Sequence, residues 1–224
     1  MNKKKIFIAV DTNNISKAKK IINDTQTNKI KVGYKFGLEF FYSKDGRKFL
    51  SNIKNQTIFL DLKLNDIPNT IKSAMKSLKN LKISYLTVHL SSGLSALKAL
   101  KKESRSIKIV GVTTLTSLDN KDLKEIGYNK KVKDLVKHQA KLATKAKLDA
   151  IVCSAHETRL VKRVFKKEII TPGIKMQNVK SDQKRIMGPA DAFDAGSDWL
   201  VIGRSITNGN IKKNIKNLLK ILED

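Results

Sequence analysis

What most constrains this chain is a rhythm. Short apolar runs rich in β-branched residues alternate with segments of helical period throughout its length. Ile6–Val10, Ile30–Tyr34, Thr57–Lys63, Tyr85–Leu90, Ile107–Thr113, Ala150–Cys153, Ile169–Thr171 and Trp199–Ile202 read as strands. Between them, Ile71, Ala74, Met75 and Leu78 recur at i, i+3, i+4 and i+7, a single apolar stripe that has to lie against a sheet. Ile211, Ile215, Leu218 and Leu222 form a second stripe, and Val132, Leu135, Val136, Ala140 and Ala143 a third. Eight strands at about 25 to 30 residues per unit is the number a closed (β/α)8 barrel requires. A doubly wound open sheet shows the same alternation, and strand order is not written in the sequence. Thr116–Lys131 has weak periodicity and reads as an insertion or a short extra helix. No linker rich in Pro, Gly or Ser divides the chain, so residues 1–224 are expected to form one α/β domain, a (β/α)8 TIM barrel.

Composition narrows the function classes. Forty-six Lys and Arg against 20 Asp and Glu give a formal charge of +26, which raises nucleic acid or an anionic surface as a partner. The lysines are spread along the whole chain, however, and aromatics make up only 6%, a poor platform for stacking bases. The charge reads as compositional, and a basic nucleic-acid-binding protein is the competing class. No apolar run approaches the roughly 20 residues that span a bilayer, and the opening MNKKKIFIAVD reaches Asp11 too soon for a signal peptide. The one cysteine, Cys153, excludes an internal disulfide, so a reducing cytoplasm is the expected location. His89, His138 and His156 lack the spacing of a metal trio, and neither a metal nor a cofactor is expected.

Side chains alternate faces along a strand, and this sorts the third strand. Phe59, Asp61 and Lys63 share one face, and Leu60, Leu62 and Leu64 the other. With the leucines against the helices, an acid and a base point into the barrel at its C-terminal end, where barrel active sites lie. On the second strand Lys31 and Gly33 take the inward parity, and Asp11 follows the first strand. Asp11, Lys31, Asp61 and Lys63 are thus expected in one pocket, with Asp66 just beyond the strand. Interleaving cations with carboxylates lets each be neutralised by a neighbour in a partly buried site. Late in the chain, Gly173 follows the seventh strand, and Gly203, Arg204 and Ser205 follow the eighth. Backbone amides at such glycines and a guanidinium suit a phosphate, which barrels bind after strands seven and eight.

These residues carry a family resemblance. Val10-Asp11, Lys31 to Gly33 (KVG), Asp61 to Thr70 (DLKLNDIPNT), Val112 to Ser117 (VTTLTS), Cys153 to Glu157 (CSAHE), Thr171 to Ile174 (TPGI), Asp182-Gln183 and Gly203 to Thr207 (GRSIT) come in the order of the orotidine 5′-phosphate decarboxylases. The chain resembles that family along nearly its whole length. The resemblance implies a cofactor-free carboxy-lyase acting on orotidine 5′-phosphate, with Lys63 as proton donor to the pyrimidine C6 and Asp61 beside the departing carboxylate. Lys31 and Asp66 would complete the charge network. Asp66, Ile67 and Thr70 would reach the neighbouring subunit's site in a homodimer with shared active sites. The family pattern further places Asp11 and Lys31 at the ribose, Thr116 at the base, and Gln183, Gly203 and Arg204 at the phosphate. Lys175 stands where the family usually has Arg and cannot reproduce a planar bidentate contact. Asn65 stands at a position where His is common. A sugar-phosphate decarboxylase or aldolase using Mg²⁺ shares the Asp-x-Lys-x-x-Asp strand, but the Ile67–Thr70 and VTTLTS segments argue against it.

Overall fold

The computed structural model describes residues 3–176 and 187–223. Eight parallel strands, β1 (Lys5–Ala9), β2 (Lys31–Phe36), β3 (Thr57–Leu64), β4 (Tyr85–His89), β5 (Lys108–Val112), β6 (Ala150–Val152), β7 (Glu168–Thr171) and β8 (Trp199–Ile202), pair in sequence order. β8 returns to β1, with Ile6 opposite Leu200 and Ile8 opposite Ile202, so the sheet closes. The closed order decides between the barrel and the open sheet. Outward-facing Ile6, Ile8, Leu60, Leu86, Val88 and Ile109 pack under the helices in one continuous core, which receives the three apolar stripes through Ile71 and Met75, Val136 and Ala140, and Ile215 and Leu218. Fully burying each such side chain stabilises the fold by about 1.5–3 kcal/mol.

A separate cluster fills the barrel interior: Phe7, Phe59, Tyr85 and Trp199, with small or branched residues such as Ala9, Val110 and Val201 around them. Phe7 stacks on Trp199 with ring centroids 4.0 Å apart and meets Tyr85 edge-on at 5.3 Å. Tyr85 and Trp199 open their strands, so these rings plug the N-terminal half of the barrel. Gly33 makes room for the plug. A Cβ there would lie 2.7 Å from the Phe7 ring and 2.9 Å from the Thr57 carbonyl oxygen. Beneath the plug, Glu168 accepts from Lys108 Nζ at 2.9 Å and from the Tyr85 hydroxyl at 3.0 Å. Burial, reinforced by the Glu168 charge, pushes the Tyr85 hydroxyl up to about 12.

The 116–131 segment contains a short helix, Asn120–Glu125, opened by a reciprocal capping box between Asp119 and Asp122. Two further short helices, Leu38–Phe41 and Gly46–Asn52, lie between β2 and β3. Phe36 and Phe40 are buried there, while Tyr42 is 75% exposed.

Candidate active site

Above the aromatic plug a cavity of about 290 Å³ opens at the C-terminal end of the barrel. Phe59 is its floor, and Asp11, Lys35, Asp61 and Lys63 enter from the ends of β1, β2 and β3. Lys63 Nζ lies 2.9 Å from Asp61 Oδ2, and Lys35 Nζ lies 3.8 Å from the same oxygen and 3.1 Å from Asp11 Oδ1. The four charges therefore alternate, Asp11–Lys35–Asp61–Lys63. Asp61 and Lys35 are the sheltered members, each with side chains 13% exposed. Burial pushes the Asp61 carboxyl upward, but Lys35 and Lys63, with hydrogen bonds from Lys63 and Thr87, outweigh it and hold the group below its usual range. His89 is lowered, first by burial and then by the charge of Lys63, against an opposing pull from Asp61.

Lys31 does not belong to this network, which corrects the sequence expectation. It is the first residue of β2, opposite Lys5, and its Nζ sits 5.7 Å from the Trp199 ring at the other end of the barrel. The strand continues two residues past Tyr34, to Phe36. Lys31, Gly33 and Lys35 share one parity, so the inward face holds and the cation at its mouth is Lys35. The signal was present in a second Lys-x-Gly tripeptide, Lys35-Phe36-Gly37.

β3 is irregular where it carries the charges. Phe59 and Leu60 pair with Tyr85 and Leu86, and the next pair is Leu64 with Val88. Lys63 lies within the slip at φ +49°, the left-handed region, which is uncommon for a residue with a side chain. Such positions persist where surrounding contacts hold them, and they concentrate at functional sites.

The opposite wall is built by loops. Thr114 and Thr116 follow β5, and the buried Gln139 accepts both the Thr114 amide at 2.8 Å and its hydroxyl at 3.2 Å, tying that loop to the helix Val132–Lys145. Gly173, Lys175, Gly203 and Arg204 line the cavity beyond β7 and β8. Gly173 has φ +77°, a conformation glycine adopts without strain. Lys175 is fixed through its backbone amide to the Met187 carbonyl at 3.2 Å. Gln183 lies outside the described residues. Asp66, Ile67 and Thr70 do not enter this cavity. They sit on the surface, with Ile67 66% exposed and Asp66 Oδ1 accepting the Ile67 amide. Among the described residues no three His, Cys, Asp or Glu side chains form a group that could hold a metal ion.

A closed (β/α)8 barrel with alternating carboxylates and ammonium groups at one end, and a Gly-Arg wall after its last strand, belongs to the barrels that act on small anionic substrates. Comparison with known proteins gives the particular family. A model of the orotidine 5′-phosphate decarboxylase / HUMPS family matches residues 4–215. Orotidine 5′-phosphate decarboxylase of Wolbachia pipientis is 40% identical over 227 residues, covering 98% of this chain and 99% of that protein. The enzyme of Coxiella burnetii is 37% identical over 216 residues, covering 91% of this chain and 89% of its own. The crystal structure of orotidine 5′-phosphate decarboxylase from Lactobacillus acidophilus superposes with a TM-score of 0.80 at 27% identity, covering 99% of this chain and all of that one. The chain belongs to the orotidine 5′-phosphate decarboxylase / HUMPS family.

Proposed function

We propose that this chain is a single-domain carboxy-lyase that converts orotidine 5′-phosphate to UMP and carbon dioxide, the closing step of pyrimidine nucleotide synthesis. The observation that carries the reading is the Asp11–Lys35–Asp61–Lys63 array at the mouth of the barrel. Breaking the bond between C6 and its carboxylate leaves an electron pair on a ring carbon with no adjacent carbonyl to receive it. Stabilisation then has to be electrostatic and prearranged. Lys63 Nζ meets the developing charge, donates its proton to C6 and is reprotonated from water. Asp61 holds that ammonium at 2.9 Å and lies where the carboxylate departs. Lys35 and Asp11 face the ribose, Thr116 the base, and Gly203, Arg204 and Lys175 the phosphate, whose binding energy helps position the ring.

The reading includes a homodimer whose partners complete each other's sites through Asp66, Ile67 and Thr70. The surface position of these residues and the exposed apolar side chains of Leu38 and Ile67 support it. No described helix is long and apolar enough to cross a membrane, and a sequence whose one cysteine is the buried Cys153 fits a reducing cytoplasm. The deciding experiment follows loss of the orotate chromophore with purified protein in EDTA. Turnover to UMP is the expected result. No turnover at any enzyme concentration sinks the assignment, and Mg²⁺-dependent turnover of a sugar phosphate in its place points to the sugar-phosphate branch of the family.

A further inference from the structure

The irregularity in β3 leaves three residues, Asp61, Leu62 and Lys63, opposite a single residue of β4 between the aligned pairs Leu60–Leu86 and Leu64–Val88. That single residue is Thr87. Its alternation with Leu86 and Val88, which lie in the outer core, points its side chain into the barrel between Tyr85 and His89, and it is fully buried. A buried hydroxyl needs partners for its proton and its lone pairs. Thr87 Oγ1 accepts the backbone amide of Lys63 at 2.7 Å and donates to Asp61 Oδ1 at 3.0 Å. The amide left over by the bulge is thereby satisfied by a side chain, and the proton of that same side chain goes to the carboxylate that grips Lys63 Nζ from its other oxygen.

We infer that Thr87 is a positioning residue for decarboxylation: one hydroxyl locks the Lys63 backbone in its left-handed conformation and fixes the rotation of the Asp61 carboxylate, so that ammonium and carboxylate are held in register with the reacting carbon. Thr87 lines no part of the cavity and acts only through these two residues. Valine has nearly the same shape but can neither accept the Lys63 amide nor donate to Asp61. Both partners would then be left buried and short of a hydrogen bond. A displacement of about 1 Å at a reacting group is enough to lose roughly 10²-fold in rate.

This inference rests on the proposed decarboxylation, and its test separates the two. Parent, Thr87→Val and Thr87→Ser proteins are compared for kcat, KM, UMP affinity and crystal structure. Thr87→Val is expected to lower kcat about 10- to 100-fold while KM and UMP affinity stay within about threefold. Thr87→Ser, which keeps the hydroxyl, is expected to recover to within about threefold of parent. The Val structure should show Lys63 leaving φ near +50° or the Nζ–Asp61 contact lengthened. A Val variant as active as parent overturns the inference, and so does a Ser variant impaired to the same degree. A parent protein without decarboxylase activity sinks the functional reading, and the crystal structures then decide the positioning role alone: unchanged Lys63 and Asp61 geometry in Thr87→Val overturns it.

Discussion

Lys35 and Lys31 differ by four positions and share a parity, yet they occupy opposite ends of one strand, so they make a controlled pair at the scale of single residues. Lys35 bridges Asp11 and Asp61 and balances charge that burial would otherwise make costly. Its replacement by Ala is expected to reduce kcat/KM by about 10²-fold or more. Lys31→Ala, which removes a cation resting over Trp199, is expected to stay within about threefold of parent. Steady-state assays of the two variants read the difference, and a comparable loss in both would contradict the placement of Lys31 away from the cavity. Parity was legible in the sequence because it depends only on neighbours along the strand. The end of the strand was not, because Lys35 and Phe36 are held in it by pairing with Phe59 and Leu60, residues more than twenty positions away.

At the scale of elements, the same distinction separates what could be read from what could not. The eight strands and the long helices announce themselves by local period. The helices Leu38–Phe41 and Gly46–Asn52 are too short to show one. The slip between β3 and β4 is a property of two strands together and leaves no mark on either alone. Gly33 shows an element constrained from across the barrel: its missing side chain is the space that the Phe7 ring occupies. Gly33→Ala is therefore expected to destabilise the fold by about 1–3 kcal/mol through overpacking. A lower denaturation midpoint with an unchanged slope would report it, and a midpoint equal to parent would mean that Phe7 and β3 yield more easily than the contacts imply.

For the molecule as a whole, the segment from Asp61 to Thr70 divides its residues between two directions. Asp61 and Lys63 face inward, while Asp66, Ile67 and Thr70 lie on the surface away from this chain's own cavity. If two chains share sites, mixing inactive Lys63→Ala with inactive Asp66→Asn subunits should return activity approaching about a quarter of parent, because half of the dimers pair unlike subunits and each of those holds one intact site. No recovery after verified subunit exchange would exclude sharing. The eight-strand alternation, the inward carboxylate and the late Gly-Arg wall were legible from one sequence, since each follows from period or from a short motif, whereas closure of the sheet depends on β8 pairing with β1 across the whole chain. A partner surface carries no such pattern and had to come from resemblance.

The stacked rings of Phe7 and Trp199 set one more condition on the chemistry. They turn the barrel into a cul-de-sac. Among the described residues they close the barrel axis below the cavity, so in the proposed reaction carbon dioxide leaves by the mouth that admits the nucleotide, and arrival and departure there must take turns.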